Sequence, residues 1–159
     1  MVREEGFLVT QNVVARVGAG FLGMMVLAGV AVTAQSKPQT ILVYKTPTCG
    51  CCTKWVEHLQ AAGFKVETQH RDDLTPIRQA QKVPPTATSC HTALVGPYVV
   101  EGHVPAADVK RMLAEQPKIK GIAVPGMPIG SPGMEGPAPQ KYDTLAFTET
   151  GKITVFAKH

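Results

Sequence analysis

The hydrophobic period changes twice between Ile41 and Gln69, and this leaves the chain few ways to fold. Ile41-Leu42-Val43-Tyr44 is an unbroken apolar run; Cys52, Trp55, Val56 and Leu59 recur at i, i+3, i+4 and i+7; Phe64-Lys65-Val66-Glu67-Thr68-Gln69 alternates apolar and polar residues. These patterns predict a strand, a helix with one buried stripe and a second strand. Short joins imply parallel strands with a right-handed crossover. Thr48 is placed to cap the helix, which runs to about Ala62 and stops at Gly63. The stripe puts Cys52 half inside and leaves Cys49 exposed.

Asp72-Asp73-Leu74-Thr75-Pro76 opens a second, short helix reaching about Lys82, with acidic residues at its N-terminus and Ile77 and Ala80 on its apolar side. Val83-Pro84-Pro85 stops it. Ala93-Leu94-Val95 and Tyr98-Val99-Val100-Glu101 flank Gly96-Pro97 as a β-hairpin. A third helix begins near Val104-Pro105, with Val109, Met112 and Leu113 as its core stripe, and ends before Pro117. Residues 121–139 are rich in proline and glycine, which excludes regular structure over most of that stretch. Residues 142–148 and 152–158 predict a terminal hairpin across Glu149-Thr150-Gly151. Because apolar alternation resumes there, the Pro/Gly stretch reads as an ordered loop crossing the domain, with a flexible linker as the alternative. A β-α-β-α-β-β-α order with a C-x-x-C dithiol at the first helix start is the thioredoxin-like α/β arrangement.

Length allows one domain of this kind: 159 residues, part of them in a leader. Residues 17–32 are uncharged and apolar, follow Arg16 and precede a small-x-small pattern ending at Ala34, so residues 1–34 read as a secretory signal peptide and residues 35–159 as the exported domain. An uncleaved anchor is the alternative, although the run is shorter than the roughly 20 residues that span a bilayer; membrane contact is expected only through it. The net charge of +4 comes from scattered lysines with few aromatics, which argues against nucleic acid as a partner.

Three of the four cysteines fall in Cys49-Gly50-Cys51-Cys52. A helix N-terminus lowers a thiol's pKa, and thiolate is the nucleophilic and metal-binding form. In an exported chain the ordinary expectation is structural disulfides. Neighbours such as Cys51 and Cys52 are too close to staple anything distant, whereas Cys49 and Cys52 have the separation of a redox dithiol. Cys51 and Cys90 then have no part in plain dithiol exchange. Thiolates and thioethers are soft ligands that select Cu(I), and imidazole adds to them. Cys90-His91 supplies a second cluster. Met127 and Met134, in two Gly-Met units of the loop, supply a third, since loop methionines outside any helical stripe are presented more readily than packed. His103 precedes a helix and either approaches the site or caps that helix; His58, His70 and His159 read as bystanders, His58 facing solvent. A structural zinc site prefers two spaced knuckles, and only one is present, so copper is favoured.

The blocks from Tyr44-Lys45-Thr46-Pro47-Thr48 through Cys52, then Trp55, Ser89-Cys90-His91-Thr92-Ala93, Glu101-Gly102-His103-Val104-Pro105 and Val124-Pro125-Gly126-Met127-Pro128 to Gly133-Met134-Glu135 resemble, in order, the CopG-like family of exported copper-handling proteins. That resemblance implies a thioredoxin-like periplasmic domain, copper bound at the cysteine motif, association with other periplasmic copper-resistance proteins, and Cys49, Cys51, Cys52, Cys90, Met127 and Met134 as the functional set. With His91 added from the residues themselves, the expectation is a protein that binds one or more Cu(I) ions and couples ligation to thiol redox chemistry, Cys49 attacking and Cys52 resolving. A thiol-disulfide oxidoreductase acting on proteins and a non-catalytic copper sequestering or delivery protein are the alternatives.

Overall fold

The computed structural model describes residues 39–159, so the leader assigned to residues 1–34 lies outside the described residues. Among the described residues no helix is long and apolar enough to cross a membrane. The elements run β1 (Thr40–Lys45), α1 (Gly50–Ala61), β2 (Lys65–His70), α2 (Thr75–Ala80), a 3₁₀ turn (Pro85–Ala87), β3 (His91–Val95), β4 (Tyr98–Gly102), α3 (Ala106–Glu115), β5 (Gly121–Val124), β6 (Asp143–Phe147) and β7 (Ile153–Lys158). They build a mixed α/β structure around one seven-stranded sheet ordered β2-β1-β3-β4-β5-β6-β7.

The first seven major elements keep the order read from hydrophobic periodicity. β1 and β2 are parallel, β3 is antiparallel to both β1 and β4, and the β3–β4 hairpin turns at Gly96-Pro97 with Val95 opposite Tyr98. The predicted stripe of α1 is the buried one: Cys52, Trp55, Val56 and Leu59 face the sheet. Trp55, Val56 and Leu59 pack with Ile41 and Val43 of β1 and with Val109 and Met112 of α3. A smaller cluster, Val83, Ala87, Val99, Ala123 and Phe147, forms a second apolar centre.

Three boundaries move. The cap of α1 is Cys49, one residue after Thr48, and it has no side-chain cap bond. The thiol residue itself therefore stands at the helix's unsatisfied N–H end. α2 is shorter than expected, because Asp73 takes up the Thr75 N–H (2.8 Å) in a turn before the helix begins. The Pro/Gly stretch also begins later than expected: Gly121–Val124 form β5, buried throughout, parallel to β4 and antiparallel to β6. A strand covered on both faces shows no alternation, so its short apolar run carries little periodic signal. A Cβ on Gly121 would run into the Val99 carbonyl and the Phe147 ring.

The remaining loop, residues 125–142, is tied to itself by Ser131 N–H to Pro128 O (3.1 Å), Met134 N–H to Ser131 O (2.8 Å) and Gln140 N–H to Ile129 O (2.7 Å). Ser131 is fully buried. This is an ordered crossing, and β6 and β7 close the sheet as a hairpin after it.

Candidate metal centre

Two chain segments bring the thiols together. β1 delivers the chain to a turn in which Cys49 N–H bonds to Thr46 O (3.3 Å), and α1 then starts with Cys51 and Cys52 in its first turn. Cys90 arrives from the opposite side, immediately before β3, which pairs with β1. Cys49 and Cys52 are joined as a disulfide across a Cα separation of 5.4 Å, while Cys51 and Cys90 are free. Cys51 Sγ lies 3.4 Å from Cys49 Sγ. All four sulfurs lie within 4.8 Å of one another. Cys52 is fully buried, deeper than the helical stripe alone suggested, because β3 and Cys90 cover it; Cys49 is partly covered.

Cys90 also belongs to a second group, with His91 and His103. Its sulfur lies 3.2 Å from His91 Nδ1 and 2.9 Å from His103 Nε2. His103 Nδ1 is 2.8 Å from the Pro132 carbonyl, which can only accept, so Nδ1 carries the proton and the Nε2 lone pair points at Cys90. An imidazole held this way by a backbone carbonyl is oriented as metal-bound histidines usually are. His91 is fully buried, its ring against Trp55 (centroids 4.2 Å apart) and edge-on to His103 (5.0 Å), and among the described residues its Nε2 has no hydrogen-bond partner.

Burial, and then the neighbouring His103, hold His91 well below the usual 6.5; burial lowers His103 too. Both rings are therefore neutral at pH 7, the form that ligates metals. Burial together with Cys51 nearby pushes the Cys90 thiol up to about 12. A metal ion bound there displaces that proton.

A buried carboxylate fixes this corner. Glu101, fully buried on β4, accepts Ser89 N–H (2.8 Å) and Arg78 Nε (2.9 Å) on one oxygen and the Thr92 hydroxyl (2.6 Å) on the other. Arg78 also donates to the Ser89 carbonyl. The residue before Cys90 is thus held at both its N–H and its C=O. Its hydroxyl donates to Gly126 O, which draws in the first Gly-Met unit. Desolvation dominates Glu101, raising its pKa above the ordinary 4.5 despite these donors.

Cys49, Cys51, Cys52, Cys90 and His91, each singled out from sequence, are brought together. The glycines preceding the two methionines, and not the methionines themselves, touch the surroundings of the group: Gly126 N–H bonds to Thr88 O (3.2 Å), and Gly133 packs against the Cys51 carbonyl, the Trp55 amide and His103. Met127 is 50% exposed and Met134 half-buried. His103, which residue type and adjacency leave between ligand and helix cap, lies beside Cys90, and a sequence signal for this exists. A hairpin turning at Gly96-Pro97 with Thr92 opposite Glu101 puts Cys90 opposite His103 when its register is continued two residues outward. His58 does not simply face solvent: its Nε2 accepts the Ala106 N–H (3.0 Å) and satisfies the start of α3. His159 is tied in as well, 2.9 Å from Asp108 and stacked on Tyr142.

Chemically, the group offers four thiols and two neutral imidazoles, a donor set that selects soft metal ions. His91 Nδ1 and the preset His103 Nε2, both within hydrogen-bond distance of the Cys90 sulfur, fit that use. In the oxidised form two of the sulfurs are consumed by the disulfide, so full ligation requires its reduction.

Known proteins resemble this chain. A family described as a protein of unknown function, DUF411, matches residues 87–134, the span holding Cys90, His91, His103 and both loop methionines. Two solved structures, forms 1 and 2 of "Copper resistance protein copG", are each 42% identical to this chain with a TM-score of 0.73, covering 77% of it and 98% and 99% of their own lengths respectively. No curated protein matches.

Proposed function

The chain belongs to the CopG-like family, and from that membership and its gathered sulfurs we propose that it binds Cu(I) in copper resistance, linking ligation to the state of Cys49 and Cys52. Cys49, Cys51, Cys52 and Cys90 are the thiolate ligands, His91 and His103 the nitrogen donors, and Met127 and Met134 auxiliary thioethers at the loop. The observation that carries this reading is the approach of all four sulfurs to within 4.8 Å of one another. One or more Cu(I) ions bridged by shared thiolates suit such crowding. The metal is cargo or substrate in this scheme, and the periplasm, reached through the leader at residues 1–34, is its compartment. Copper ligation by Cys49 or Cys52 and their disulfide exclude each other, because a ligating thiolate cannot also be oxidised. Cys49, at the helix cap, is the attacking thiol and Cys52 the resolving one; the fold around them is read as thioredoxin-like.

Anaerobic Cu(I) titration of the fully reduced protein, in competition with a chromophoric chelator, tests this. Cys51→Ser and Cys90→Ser are each expected to lower the copper bound per chain. Unchanged affinity after replacement of all four cysteines by serine would sink the proposal. One observation favours a second reading, a thiol-disulfide oxidoreductase acting on proteins: the Cys49–Cys52 pair is already closed as a disulfide. On that reading Cys51→Ser and Cys90→Ser exchange disulfides at the wild-type rate, and copper changes nothing.

A further inference from the structure

The Cys49–Cys52 disulfide leaves two thiols over, and they are neighbours. Cys51, half-buried in the first turn of α1, and Cys90, half-buried just ahead of β3, have their sulfurs within 4.8 Å of each other. Cys51 Sγ is also 3.4 Å from Cys49 Sγ, but that sulfur is already taken by the existing disulfide. Cys90 is the one thiol that Cys51 has left to pair with.

The surroundings of Cys90 suit it to attack. Its sulfur lies 2.9 Å from His103 Nε2, and His103 Nδ1–H donates to the Pro132 carbonyl at 2.8 Å. A nucleophile, a base whose lone pair faces it, and a third group that fixes the tautomer and tilt of the base are the parts of an activated thiol. Pro132 belongs to the ordered loop, and the next residue, Gly133, packs against the Cys51 carbonyl and His103. The base is thereby held against the same turn of α1 that carries Cys51.

We propose that Cys51 and Cys90 are a second redox pair, which a small disulfide such as oxidised glutathione closes into a bridge between α1 and β3, with His103 as the general base. This deepens the proposed link between copper ligation and thiol state. With the first disulfide alone, Cys51, Cys90, His91 and His103 can still hold a metal ion; with both closed, none of the chain's four cysteines offers a thiolate. Cys51 attacks one sulfur of the glutathione disulfide, whose S–S bond breaks, and its proton ends on the first glutathione released. Cys90 then passes its proton to His103 Nε2, attacks Cys51 Sγ in the mixed disulfide and expels the second glutathione, which takes that proton from His103. Two protein thiols lose two electrons, and one glutathione disulfide is reduced to two thiols.

The test uses metal-free protein that already carries the Cys49–Cys52 disulfide, so that its failure and a failure of the Cu(I) titration are separate results. The protein is incubated with oxidised glutathione, quenched in acid at timed points, alkylated with N-ethylmaleimide, and read by intact mass and by mapping of unreduced peptides. The expected result is loss of both free thiols, no retained glutathione, and peptides joined through Cys51 and Cys90. Cys90→Ser should stop with one glutathione on Cys51. His103→Gln should accumulate that same mixed disulfide and close it about a hundredfold more slowly, as expected when a general base is lost. Persistence of both thiols, glutathione retained on both, a bridge through any other new pair, or a wild-type closing rate in a folded His103→Gln protein would each overturn the proposal.

Discussion

Glu101→Leu removes the acceptor on which the Cys90 corner depends while leaving a side chain of comparable bulk. Three donors lose their partner: the Ser89 N–H, the Arg78 Nε–H and the Thr92 hydroxyl. Arg78 is only 20% exposed in this pair, so its charge is not freely returned to water. Breaking a buried pair by removing one member costs about 3–5 kcal/mol, and each orphaned buried donor about 1–3 kcal/mol, the two overlapping here; we expect a loss of about 4 kcal/mol. Glu101→Gln behaves differently. Its amide oxygen can keep the Ser89 and Arg78 bonds, and the Thr92 hydroxyl can turn to accept from the amide nitrogen. Because burial already raises the Glu101 pKa, desolvating the carboxylate outweighs what its partners return. Losing the charge should therefore cost only about 1 kcal/mol. Urea unfolding of the metal-free, disulfide-intact proteins measures both, as midpoint shifts at constant slope. Reaction of Cys90 with a thiol reagent under native conditions reports the corner itself and should quicken in Glu101→Leu alone. Equal costs for Gln and Leu would mean that the ion pair and not the hydrogen-bond set holds the corner, the opposite of what is expected here.

Two further outcomes follow from the site's surroundings. Gly133→Ala places a Cβ 2.7 Å from the Cys51 carbonyl and 2.9 Å from the Trp55 amide at a φ of +84°, so a loss of about 2 kcal/mol or more in thermal unfolding is expected, with fewer Cu(I) ions bound per chain; wild-type values of both would contradict the packing described. His58 has its pKa lowered, chiefly by burial with Glu135 opposing, so the unfolded chain holds the extra proton: the stability from His58 is whole above 6.5 and drains as pH falls through that value toward the folded pKa. His58→Gln should lose stability less steeply than wild type between about pH 7 and 5 in chemical unfolding, and parallel pH profiles would remove His58 from the account.

Much of the fold can be read from local pattern. The stripe Cys52, Trp55, Val56 and Leu59 is buried as its spacing requires, and the Gly96-Pro97 hairpin pairs as its turn requires. β5 is not legible in this way, since a strand buried on both faces has no period to detect. The α1 cap moved by one residue, to a cysteine that caps with no side-chain bond. Among site residues, the cysteine motif and Cys90-His91 stand out by residue type and adjacency. His103 is different: its place depends on register across a hairpin, and register is a pairwise property of two strands.

Which donors exist, that three thiols sit where a strand turns into a helix, and that the elements alternate as an α/β chain are all legible along the chain. These are local matters, set by side-chain type and by periods of two and 3.6 residues. Long-range pairing settles the rest: Cys90 meets the motif across the β1–β3 pairing, His103 aims a lone pair at it, and Glu101 is buried to hold Ser89. Each of these depends on residues distant in sequence and joined by strand pairing, helix packing or loop crossing, whose combined geometry no single stretch of chain encodes.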